Sequence, residues 1–87
     1  MKNKDVCVDF AYGNASHTEN VSSTGDKLFS YATCIAQRKD GKIYVNRTKY
    51  SPTTSKHQHY LLNALRKAKE EIVEVNDIPI GRSSLVG

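Results

Sequence analysis

Residues 50–60, YSPTTSKHQHY, gather the side chains of this sequence best suited to chemistry: two histidines, a lysine and a run of hydroxyls between two tyrosines. Three uses compete for them: a metal site, a phosphate grip and a helix start. His57 and His59 stand two apart, so on a helix they point about 200° from each other and share an ion only if that stretch is extended. His17 is the one further histidine, and no metal is expected. Thr53, Thr54 and Ser55 precede Lys56 where a helix would begin, and its free N–H groups and positive dipole end suit an anion. The same hydroxyls are competent N-caps, and Pro52 discourages helix at Ser51, so capping already accounts for them. His57 falls on the apolar stripe and is expected to be a partly buried, hydrogen-bonded ring. His59 is expected in solvent.

Catalysis would need a nucleophile with a base, or paired carboxylates. Cys34 with His57 is a conceivable pairing and Tyr/His/Lys groupings occur in some nucleases, but no motif or spacing here demands catalysis. No glycine-rich loop of the GxxxxGK[ST] kind is present, and Cys7 and Cys34 form no CxxC pair. The expectation is a protein that is not an enzyme, takes no cofactor and keeps its cysteines as free thiols.

Charge carries the stronger signal. The 87 residues have a net charge of +4, yet residues 26–69 alone hold ten basic and two acidic side chains, a local balance of +8 between acidic ends. Arg38, Lys39 and Lys42 surround one turn, Arg47 and Lys49 follow, and Lys56 and Arg66 lie on the expected helix. These seven form the candidate binding set, because Lys and Arg clustered on a hairpin can lie along a phosphate backbone. The competing explanation is a solvated hairpin whose lysines protect a sheet edge.

These groups must be positioned by a small number of elements. Val6, Val8, Phe10 and Tyr12 alternate with Cys7, Asp9 and Ala11 and predict a first strand. Residues 15–25 are polar and predict a loop. Leu28 to Gln37 and Lys42 to Tyr50 predict a strand pair reversed by Asp40-Gly41, the dipeptide suited to a two-residue turn, with Gln37 opposite Tyr44, Ile35 opposite Asn46, Thr33 opposite Thr48 and Tyr31 opposite Tyr50. The face bearing Phe29, Tyr31, Ile35, Tyr44 and Tyr50 is expected to lie under the helix, since it buries more apolar area than the face bearing Ala32, Cys34, Ala36, Ile43 and Val45. Left exposed, those tyrosines could stack on nucleobases. His57, Leu61, Ala64, Leu65 and Ala68 predict a helix of about four turns. Residues 71–75 read either as a last strand or as a fraying helix end.

The segments LFSYATCIAQR and YSPTTSKHQ resemble small uncharacterised bacteriophage and mobile-element domains with a Tyr-Ser-x-Thr-Thr-Ser-x-His-Gln motif. The matching positions are Tyr50, Ser51, Thr53, Thr54, Ser55, His57 and Gln58. The resemblance implies a regulator of nucleic-acid transactions or an anti-CRISPR-like inhibitor of host defence, and carries no residue roles.

The sequence therefore predicts an α+β domain over residues 1–77, an antiparallel sheet of three to four strands with one amphipathic helix packed on one face, and a C-terminal tail over 78–87 with little to order it. It predicts a cytoplasmic binding protein for nucleic acid or a host nucleoprotein complex, with no membrane partner and with a homodimer feasible through an open sheet edge. Inhibition of a host defence protein by protein contact is the alternative.

Overall fold

The computed structural model describes residues 2–79 and Leu85. Its elements run α1 (Asn3–Ala11), β1 (Ala15–His17), β2 (Val21–Thr24), β3 (Lys27–Ser30), β4 (Thr33–Lys39), β5 (Lys42–Asn46), α2 (Pro52–Ala68) and β6 (Ile72–Val75). The α+β class holds, with more in it than expected: two helices cover one face of a six-stranded sheet ordered β1-β2-β3-β4-β5-β6. All neighbours are antiparallel except β5 and β6, which are parallel because α2 carries the chain back across the sheet between them. Residues 71–75 thus resolve as a strand.

The first strand is a helix. Val6, Cys7, Phe10 and Ala11 are the buried residues of α1 and recur at helical spacing, whereas Val8 and Tyr12, which completed the apparent alternation, face solvent. The Asp5 carboxylate accepts the backbone N–H of Lys2 at 3.0 Å and secures the first turn. Residues 15–25 are not a loop but the hairpin β1–β2, whose polar residues suit the sheet edge. Thr18 closes its turn, with its hydroxyl oxygen accepting the N–H groups of Asn20 and Val21 at 3.2 and 3.1 Å.

Asp40 and Gly41 have φ of 55° and 76°, the two positive values of a type I′ turn, and β4 pairs with β5 as Gln37 with Tyr44 and Ala36 with Val45. The long strand 28–37 breaks at Tyr31, which turns the chain at φ 55°. Because β5 ends at Asn46, the expected pairs Thr33 with Thr48 and Tyr31 with Tyr50 do not form.

The helices cover the face with the smaller residues. Leu28 pairs with Ala36 and Phe29 with Cys34, so Ile35 is an extra residue in a β-bulge and joins Ala36 in the core. One cluster unites Val6, Phe10, Leu28, Ile35, Ile43, Val45, Leu61 and Leu65. Two helices seated side by side bury more than one helix on the aromatic face could, and Phe29, Tyr44 and Tyr50 are left half-buried on the other side. Tyr50 there donates to the carbonyl of Ile78 at 2.6 Å, and Leu85, also buried, donates its N–H to Gln37 Oε1 at 2.8 Å. The rest of the expected tail, residues 80–84 and 86–87, lies outside the described residues.

Candidate functional site

The YSPTTSKHQ stretch folds as the junction from β5 to α2, and five of its polar side chains are hydrogen-bonded there. Ser51, not Thr53, Thr54 or Ser55, is the N-cap: its Oγ accepts the N–H of Thr54 at 3.2 Å, with Pro52 at the first helical position. Tyr50 Oη accepts from Asn46 Nδ2 at 2.8 Å. Gln58 Nε2 donates to the carbonyls of Asn46 and Thr48 at 2.7 and 3.0 Å, tying residues 46–48 to the helix. Tyr50, Ser51, Thr54, His57 and Gln58 thus build the junction, while Thr53 and Lys56 face solvent.

His57 is 2% exposed, and both of its ring nitrogens have partners. The Thr18 hydroxyl accepts two N–H groups and reaches Asn3 Oδ1 at 2.5 Å and the carbonyl of Val21 at 3.5 Å, and the Asn3 amide lies 3.3 Å from His57 Nε2. His57 Nδ1 lies 2.7 Å from Ser30 Oγ. Ser30 donates onward to Thr54 Oγ1 at 3.2 Å. Ser30 is itself buried, so the Ser30–His57 pair is closed off from solvent. Burial, and then the charge of Lys56, hold the His57 pKa below its ordinary value.

Cys34 is not brought to His57, since both ring nitrogens have other partners and its Sγ donates to the carbonyl of Ala36 at 3.1 Å. Both cysteines are free and buried, and burial raises both thiols, that of Cys7 to about 12. His59 points to solvent beside Arg47 and Lys49. Among the described residues no three His, Cys, Asp or Glu side chains gather as a metal site.

The seven cationic candidates do not form one surface. Arg38 is structural: its guanidinium donates to the carbonyls of Gly25, Phe10 and Ala11, the last two at 3.0 and 3.3 Å, and lies 5.0 Å from the Phe10 ring centroid. It satisfies the C-terminal carbonyls of α1, where a cation is favoured. Lys39 and Lys42 pair across the turn. Lys42 alternates with core residue Ile43, so this lysine pair projects from the sheet face opposite the helices. The hairpin tip and the helix start therefore do not combine into one basic surface.

What does combine is α2 with its flanks. The helix PTTSKHQHYLLNALRKA contains no acidic residue, and Lys56, His59, Arg66 and Lys67 all lie on its exposed side. On one flank Arg47 and Lys49 join Ser55, Gln58, His59 and Leu62 around a hollow of about 270 Å3. On the other, Lys2 and Lys4 of the α1 segment approach Tyr60 of α2. Among the described residues the one ion pair within 4.0 Å joins Arg47 to Glu74 at 2.8 Å, so Lys49, Lys56, Arg66 and Lys67 remain without an acidic partner.

Lys2, Lys4, His59 and Lys67 were missed by reasoning from the sequence. Helical spacing gives the last two, since 56, 59, 63, 66 and 67 share one side of α2. The first two become neighbours of α2 only because residues 3–11 are a helix.

Among the described residues, no helix is long and apolar enough to cross a membrane. Residues 8–77, most of the chain, match a family of unknown function, DUF8033. No curated protein and no solved structure matches the chain.

Proposed function

The chain belongs to that family, and we propose that it is a non-enzymatic binding module that engages nucleic acid through the cationic side of α2 and its flanks. The observation that carries this reading is a 17-residue helix without a single carboxylate, its lysines, arginine and outer histidine all turned to solvent. A surface helix serving only solubility usually mixes both signs, whereas one sign concentrated on a ridge attracts phosphate and releases its counterions. The buried, hydrogen-bonded Thr54, His57 and Gln58 of the motif support a binding role, since those groups hold α2 in place. A phage or mobile-element setting, a cytoplasmic location and a host nucleoprotein target accord with this proposal.

Fluorescence anisotropy with a labelled oligonucleotide at low salt tests it. Lys56→Glu with Arg66→Glu, and separately Arg47→Glu with Lys49→Glu, should abolish binding, while Lys39→Glu with Lys42→Glu on the opposite sheet face should leave most of it. Equal loss from all three pairs would mean general charge attraction and would overturn the assignment to α2.

One observation favours a second reading, inhibition of a host defence protein by direct contact. Val8 and Tyr12 stand one helical turn apart on the outside of α1, 42% and 66% exposed, an apolar pair suited to a protein partner. A stoichiometric complex that survives nuclease and is lost in Val8→Asp with Tyr12→Asp would support it.

A further inference from the structure

We propose that the groove between α1 and α2 is a site for single-stranded nucleic acid, with Tyr60 stacking on an unpaired base between lysines that hold the phosphates. This rests on the nucleic-acid reading and narrows it to one groove and one strand state.

Three adjoining hollows of about 490, 400 and 350 Å3 lie along the seam of the two helices, and Tyr60 lines all of them. Lys2 and Lys4 line the α1 side, with Lys56 toward one end of the α2 side and Lys67 toward the other. All four lysines are exposed, and among the described residues none is in an ion pair. Asp5 also lines the groove, its carboxylate accepting the backbone N–H of Lys2. The balance along the seam is therefore strongly positive.

Position explains why an aromatic lies there. Lys56, Tyr60, Asn63 and Lys67 follow one stripe of α2 at intervals of four, three and four residues. From Lys56 to Lys67 the helix rises about 16 Å, which spans roughly five nucleotides at the stacked spacing of about 3.4 Å. Tyr60 sits near the middle, half-buried, its inner edge packed on the core. An aromatic between two cations on a shallow track is the arrangement that takes bases by their faces and phosphates by charge. In a duplex those base faces are covered by neighbouring pairs, so Tyr60 has nothing to stack on. The occupant is thus a single strand.

The test is anisotropy with a labelled single strand of about ten nucleotides and with the duplex of the same sequence. Wild-type protein should bind the single strand roughly ten-fold or more tightly than the duplex. Tyr60→Leu keeps the apolar packing and removes the stacking face, so it should lose roughly ten-fold in single-strand affinity and approach the duplex value. Tyr60→Phe keeps the face and should bind as wild type, and circular dichroism should show all three folded. Lys4→Glu with Lys67→Glu should weaken the single strand strongly. Equal affinity for single strand and duplex, or wild-type binding by Tyr60→Leu, would overturn the groove assignment while leaving nucleic-acid binding itself standing. No binding to either at low salt would overturn both.

Discussion

Mild acid should destabilise this fold through His57, and the size of the effect follows from its surroundings. The ring is buried with Asn3 at Nε2 and Ser30 at Nδ1, so a second ring proton would force one of these contacts to be remade. Burial and Lys56 accordingly depress the pKa in the folded state. The unfolded chain, with an ordinary value near 6.5, takes up the proton that the folded chain refuses, so stability is full above that pH and declines as pH falls through it. Between pH 6.5 and 5.5 the loss is at most about 1 kcal/mol, the limit for a ring that takes up no proton when folded, or at most about 4–8 °C in Tm for a domain of this size. Thermal melts of wild type and His57→Gln at pH 7.5, 6.5 and 5.5 isolate this contribution, because the two chains differ at no other ionisable position. The variant should start lower at pH 7.5 and lose less on acidification, so that the two curves converge. Parallel curves would refute a buried ring held neutral.

Three further outcomes follow from single contacts. Arg38→Leu removes a donor from three carbonyls, of which that of Phe10 keeps the N–H of Gly13, and should lower stability by about 2–4 kcal/mol in denaturant titrations, while the folded fraction still binds nucleic acid. Glu74→Gln removes an exposed ion pair and should change stability by less than about 1 kcal/mol, yet should tighten nucleic-acid binding by freeing Arg47. Gln58→Ala uncouples two backbone carbonyls from α2 and should destabilise by about 1–3 kcal/mol, with faster amide exchange in residues 46–49.

The parts of the fold legible in the sequence were those fixed by local chemistry. Asp40-Gly41 accepts positive φ at two successive positions, and that alone sets the Gln37–Tyr44 pairing. The apolar period of α2 and the burial of His57 were readable for the same reason. What escaped was decided by tertiary packing. VCVDFAY satisfies both a strand and a helix pattern, and only the docking of Phe10 and Ala11 against the sheet and α2 selects the helix. The bulge at Ile35 breaks the alternation of β4 and reverses the inference about which face is covered. Arg38 counts as a free cation in any tally of charge, but the fold places it against the end of α1. The excess of positive charge along residues 26–69 was legible, whereas its division between the hairpin tip on one sheet face and α2 on the other was not, because that depends on how the helices seat on the sheet.

Salt-dependent association tests the account most directly. Titrating a labelled single strand at several salt concentrations should give a linear fall of log K with log salt, with a slope of about −2 to −3 for three to four lysine–phosphate contacts. Absence of binding at the lowest salt, or an affinity indifferent to salt, would contradict a phosphate-binding face on α2.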